Sequence, residues 1–200
     1  MKKIMFNDRY GLTQAVLCGR KTQTRRELKS GINVNSYSDL LKLSPYKVVE
    51  VVAVAQSYRD AGVVVVGDEA YGQDMYAPIY ASSTAGWSNK MFVKAELMPH
   101  HIKITNVRIE HLQDISDKDC IKEGLEFLNG NFYVNYNKIT HARIWIGYTT
   151  QEAFAALIDK ISGNGTWERN PLVWVYDFDC PEKQEVAMRD AQAFLHTKIY

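Results

Sequence analysis

The sequence predicts an α+β domain built around a mixed or antiparallel β-barrel. Several strand-like runs are separated by short helices, with no βαβ regularity. The run Ile102-Lys103-Ile104-Thr105-Asn106-Val107-Arg108-Ile109-Glu110 alternates apolar and polar residues through most of its length, as a half-buried strand with one wet face does. Tyr46 to Ser57 is rich in β-branched residues, which predicts a central strand. Glu50 interrupts it and either faces outward or answers a cation inside.

Taken in order, Lys3 to Phe6 reads as a short strand. Asn7 or Asp8 is placed to cap a helix over Arg9 to Cys18, with Leu12, Ala15 and Val16 on its apolar face and Gly19 at its end. Ser30 to Ser36 reads as a loop. Tyr37 to Leu43 is a short helix stopped by Ser44-Pro45. Tyr58 to Asn89 reads as a long insertion, with Val63 to Val66 as its one strand candidate. Met91-Phe92-Val93 and Ile102 to Leu112 are read as strands. Along the second, Lys103 and Thr105 share one parity, and Arg108 and Glu110 the other unless a bulge intervenes.

Ser116 opens the next helix, with Asp119 placed as a capping-box partner, and Gly124 ends it. Asn129-Gly130 is a hairpin signal within Phe127 to Tyr136. Thr149 or Thr150 caps an amphipathic helix over Gln151 to Ile161, with Phe154, Leu157, Ile158 and Ile161 inward. The sequence Ser162-Gly163-Asn164-Gly165 stops it. Leu172 to Phe178 is the last strand. These elements predict one domain over residues 1–180, with an insertion at about 58–89 and a helical tail over 181–200.

A net charge of +1 supplies no global field toward nucleic acid, so any such binding needs a local patch. The three cysteines, Cys18, Cys120 and Cys180, form no C-x-x-C pair, which suits a reduced, cytoplasmic protein. The apolar run after Lys2-Lys3 is too short for a signal peptide, and no stretch reaches transmembrane length. No cofactor motif is present, and no metal site is expected. The adjacent His100 and His101 would point to opposite faces of a strand rather than share an ion. Trp87 is the best candidate for stacking on a base.

The stretch Gly19-Arg20-Lys21-Thr22-Gln23-Thr24-Arg25-Arg26 concentrates four cations and two hydroxyls. As a strand it puts Arg20, Thr22, Thr24 and Arg26 on one face and Lys21, Gln23 and Arg25 on the other. Both faces are polar, so it reads either as an edge strand protected by charge or as an anion site. A threonine hydroxyl is a weak nucleophile that needs a base, and a lysine serves if burial or neighbouring cations lower its pKa. Spacing alone selects no carboxylate to complete such a set.

Leu17 to Arg26 resembles the L-x-G-x-K-T-x-T-R-R signature of ASCH domains in the PUA-like superfamily. Three further segments agree in order: Pro45 to Val54, Thr105 to Ser116 with Glu123-Gly124, and Trp167 to Val175. The resemblance is greatest to a phage and prophage-type subgroup. Val49 stands where the family pattern has Gly before the acidic residue, which implies a different turn. The resemblance implies a PUA-like mixed β-barrel with flanking short helices, a cleft near the K-T-x-T segment, and partners that are RNA or a modified nucleoside or nucleotide.

Two functions follow as expectations. In the first, the chain binds RNA or a nucleotide: Arg20, Lys21, Arg25 and Arg26 contact phosphate, Arg108 reaches the same cleft, and Thr22 and Thr24 add hydroxyl contacts. The second rests on a compact branch of the superfamily that removes acyl groups from N4-acetylcytidine. Its residues fall on Lys21 as base, Thr24 as nucleophile and Glu123 as the proton-transfer group. In a third, bland alternative, the basic strand only protects a sheet edge.

Overall fold

The computed structural model describes residues 1–28, 36–66, 69–71, 84–135 and 143–180. Among them the strands, in chain order, are β1 (Lys3–Ile4), β2 (Gln23–Glu27), β3 (Val51–Val54), β4 (Val64–Val66), β5 (Glu69–Tyr71), β6 (His101–His111), β7 (Glu126–Leu128), β8 (Asn131–Asn135), β9 (Arg143–Gly147) and β10 (Leu172–Asp179). The helices are α1 (Leu12–Leu17), α2 (Tyr37–Lys42), α3 (Tyr58–Ala61), α4 (Asp117–Lys122), α5 (Thr150–Ser162) and α6 (Thr166–Arg169). The class is mixed α+β. Strands pair in the order β1-β3-β6 and β6-β10-β2, with separate β4-β5 and β7-β8-β9 sheets, and no described pairing closes a barrel. None of the described helices is long and apolar enough to cross a membrane.

The chain divides into two compact units. The first takes in Met1–Phe6 and Val51–Lys103. Here β1 runs parallel to β3, and β3 runs antiparallel to the start of β6 with Val52 opposite Ile102. Ala53, Ala55, Tyr58, Ala61, Val63, Val93, Ala95 and Met98 form its core, and Trp87 packs against that core.

Three expectations change in this region. The predicted strand at Met91 to Val93 is instead a 3-10 turn over Lys90–Phe92, because the Asn89 side chain caps it by accepting from the Met91 amide at 3.0 Å. Of the long strand predicted over Tyr46 to Ser57, only Val51–Val54 forms. It starts late because Val49 lies in the left-handed region (φ 71°) and Lys47 to Glu50 closes as a turn. The Glu50 amide donates to the Lys47 carbonyl at 3.1 Å, and the Lys47 amide donates to the Glu50 carboxylate at 2.8 Å. Glu50 therefore fastens its own turn. The insertion holds α3, capped by Ser57, and the β4-β5 hairpin; residues 67–68 and 72–83 lie outside the described residues, as does the predicted tail at 181–200.

The second unit takes in Asn7–Glu50 and Ile104–Asp179. Its central ladder pairs β10 with β2 antiparallel, setting Tyr176 opposite Thr24 and Asp177 opposite Gln23. Helix α1 begins later than predicted: Gly11, with φ 63°, is its N-cap and no side chain caps it. Asn7 and Asp8 hold the preceding turn instead: their carbonyls accept from Leu12 and Gly11, and the Asn7 side chain accepts from the Tyr10 amide at 3.3 Å. Gly19, with φ 74°, ends the helix as expected, and the amides of Arg20 and Lys21 both donate to the Ala15 carbonyl.

The β7-β8 turn uses Asn129 and Gly130, both with positive φ, as the dipeptide predicts. Strand β9 was not foreseen; it completes the sheet that lies against α5. Thr149 caps α5 in a full capping box with Glu152, and Ala153, Phe154 and Leu157 are buried. Ser116 caps α4 by accepting from the Asp119 amide at 3.2 Å. The Asp119 carboxylate does not complete that box; it is engaged in the site described next.

Candidate active site

Residue Lys21 follows the turn at Gly19, and β2 then carries Gln23, Thr24, Arg25 and Arg26. The strand is neither exposed nor apolar. Lys21, Gln23, Thr24 and Arg25 are 2%, 0%, 4% and 6% exposed, so a segment polar on both faces lies inside the unit. Burial of this kind requires partners, because an unpaired internal charge is costly.

The alternation expected from the sequence holds for Lys21, Gln23 and Arg25, which converge on one set of carboxylates. Helix α4 supplies the central one. Its C-cap is Glu123, and Gly124 follows with φ 103°. The Lys21 ammonium donates to the Glu123 carbonyl at 2.9 Å and forms a short contact with Glu123 Oε2. Arg25 Nη1 donates to the other oxygen, Glu123 Oε1, at 3.1 Å. Its Nη2 pairs with Glu110 on β6 and lies 3.6 Å from Asp119 Oδ2. The guanidinium also stands over the Phe154 ring, 5.8 Å from its centre.

Arg108, two residues from Glu110 on β6, reaches the same group of acids from its more open side. It donates to Asp177 at 2.5 Å, to Asp119 at 3.0 Å and to Glu110 at 3.1 Å. Gln23 links the set: its amide nitrogen donates to Asp119 and Asp177, and its oxygen accepts from Arg25. Lys21, Arg25 and Arg108 thus face Glu110, Asp119, Asp177 and Glu123.

The electrostatics follow from this packing. Burial lowers the Lys21 pKa below its ordinary value; the Glu123 charge and hydrogen bond oppose that shift, while Arg26 and Arg25 add to it. For Arg108, burial works against the charge, but Asp177, Glu110 and Asp119 outweigh it and raise the pKa. Burial also opposes ionisation of Asp119; hydrogen bonds from Lys122 and Gln23 and the charges of Lys122 and Arg108 prevail and lower its pKa. Burial pushes the Cys120 thiol up to about 12, so it stays protonated and unreactive at neutral pH.

The remaining expected site residues are placed differently. Thr24 and Arg26 lie on the face of β2 opposite Gln23 and Arg25, in register with Tyr176 and Trp174; Lys21 precedes the strand, and the Arg26 charge acts on its ammonium. Thr24 is 4% exposed. Arg26 is half-buried; burial lowers its pKa against the influence of Tyr46, Glu123 and Tyr176. Thr22 is fixed by backbone bonds to Lys122 and Phe178. Arg20 pairs with Glu126 at 2.5 Å.

Sequence reading gave Gln23, Glu110, Asp119 and Asp177 no role in the site. One signal was available: Asp177 lies among the buried residues of Val173 to Phe178, where an acid needs a cation. Among the described residues no cluster of His, Cys, Asp and Glu could hold a metal, and the three cysteines are free thiols. Compared with protein-family models, curated proteins and solved structures, the chain matches none.

Proposed function

We propose that this chain is an ASCH-type protein with a PUA-like barrel and that its buried Lys21, Thr24 and Glu123 hydrolyse an acylated amine of the N4-acetylcytidine type. The observation that carries this reading is the contact between Lys21 and Glu123, two ionisable side chains 102 residues apart in sequence and only 2% and 6% exposed. A lysine held in that environment has a lowered pKa and a carboxylate that holds it and balances its charge when it is protonated, as a positioned general base requires. Thr24, 4% exposed and three residues on from Lys21, is the companion nucleophile.

In this mechanism neutral Lys21 takes the Thr24 proton as Oγ1 bonds to the acyl carbon. The bond from that carbon to the exocyclic nitrogen then breaks, and the nitrogen takes the proton back from Lys21. Water hydrolyses the resulting threonine ester, releasing the acid and restoring the hydroxyl. Glu123 holds Lys21 in place and balances its charge while the proton is on it.

The engagement of Lys21, Arg25 and Arg108 by carboxylates favours this reading over phosphate binding, because each of those cations already has an anionic partner. The test is hydrolysis of N4-acetylcytidine by the wild type beside Lys21→Ala and Thr24→Ala. Turnover by the wild type that falls at least ~100-fold in both variants is expected. A folded wild type without turnover, together with RNA binding that weakens steeply with salt, would make the chain a nucleic-acid-binding module instead.

A further inference from the structure

We propose that Arg25 is the positioning residue of this site: it grips Glu123 by Oε1 and leaves Oε2 to face Lys21, so that the Lys21 amine is held along one fixed line. The inference rests on the hydrolytic reading above and adds a residue to which that reading assigns no chemistry.

The geometry comes from three sides. Glu123 is shared oxygen by oxygen, Oε2 to Lys21 and Oε1 to Arg25 at 3.1 Å. A carboxylate gripped at both oxygens cannot rotate to offer the other one. Arg25 is itself immobilised: Gln23 Oε1 and Glu123 Oε1 accept from Nη1, Glu110 accepts from Nη2, and the Phe154 ring lies against the guanidinium. Its Nε is buried with no hydrogen-bond partner among the described residues, so the side chain gives up one donor while both ends of its fork are used.

Charged groups from several elements face the pair. Lys21 is faced by Glu123 from the end of α4 and by Arg25 and Arg26 from β2. Arg25 is faced by Glu110 from β6 and by Asp119 and Glu123 from α4 and its C-cap. Arg25 therefore acts on Lys21 as a cation, partly offset by Glu110 and Asp119.

The test follows the titration of the Lys21 side chain by NMR in the whole chain, with the pH–rate profile for N4-acetylcytidine measured in parallel. In Arg25→Gln the Lys21 midpoint should rise by about one pH unit, because a repelling cation is lost. Arg25→Lys restores the charge and should bring the midpoint back close to wild type. Glu110→Gln leaves Arg25 with more uncompensated charge and should move the midpoint down. A purely structural role predicts a different pattern, since loosening the fold hydrates Lys21 and moves all three midpoints up toward 10.5.

The proposal is overturned if Arg25→Lys behaves like Arg25→Gln, or if Glu110→Gln shifts the midpoint upward. Should Arg25→Gln fail to fold, the other two variants decide the matter by themselves. Failure of the hydrolytic reading is separately visible: the wild type then shows no turnover, whatever the Lys21 midpoints do.

Discussion

Lys21 ties the pH dependence of this chain's stability to its burial. Burial, opposed by Glu123 and reinforced by Arg26 and Arg25, places its folded pKa below the unfolded value of 10.5. Between those two values the unfolded chain binds more protons than the folded one, so this residue makes stability rise with pH in that window. The Lys21→Met protein lacks that dependence. The wild type should therefore gain stability relative to Lys21→Met as pH climbs toward 10.5, as measured by urea unfolding at a series of pH values; a constant difference would mean that Lys21 titrates normally.

Val49 makes a second residue-scale point. It is 64% exposed, so it contributes little burial, yet it holds φ 71°, where a β-branched residue is strained. Val49→Gly should stabilise the chain by up to about 1 kcal/mol, because relief of strain exceeds the extra flexibility glycine gives the unfolded state. Loss of stability on that change would show that the turn depends on the valine side chain.

At the scale of elements, the end of α4 fixes the site. Gly124 has φ 103°, and a Cβ there would lie 3.3 Å from Leu12 Cδ2 and 3.4 Å from the Cβ atoms of Ala15 and Lys21. Gly124→Ala should cost about 2 kcal/mol through backbone strain and crowding. Because the crowding falls on Lys21 beside Glu123, hydrolysis should drop more than stability alone explains. A variant that is destabilised but retains wild-type turnover per folded molecule would separate the helix end from the site.

Strand β2 shows both what was legible and what was not. Its parity placed Lys21, Gln23 and Arg25 together, and they are together around Glu123, Asp119 and Asp177. Its burial was not legible, because a polar segment reads as exposed until its partners are known. Those partners are Glu110 on β6, Asp119 and Glu123 at α4, and Asp177 on β10, and each lies at least 85 residues away. Strand β3 failed the other way. Its apolar run continued the strand pattern through Val48 and Val49, but the Lys47 to Glu50 turn prevailed locally. Short-range signals such as Asn129-Gly130, the Thr149 cap and the helix end at Gly19 read correctly because their causes are contained in a few residues.

At the scale of the whole molecule, the formal charge is near zero and Lys21, Arg25 and Arg108 are each engaged by a carboxylate. Binding to single-stranded RNA should accordingly be weak, and the slope of log affinity against log salt should be shallow. A slope steeper than about −3 would require several free phosphate-binding cations and would contradict the pairing. The α+β class was legible from strand alternation and short helices, whereas the division into two compact units was not, since it depends on contacts between distant segments.

The most direct measurement is the rate of N4-acetylcytidine hydrolysis by Glu123→Gln beside the wild type. The substitution keeps the shape of the side chain but turns one of its two accepting oxygens into a donor and removes the charge that balances Lys21. Turnover should fall at least ~100-fold while far-UV circular dichroism stays that of the wild type. A folded Glu123→Gln protein that turns over at the wild-type rate would contradict the assignment of Glu123 and Lys21 to the chemistry.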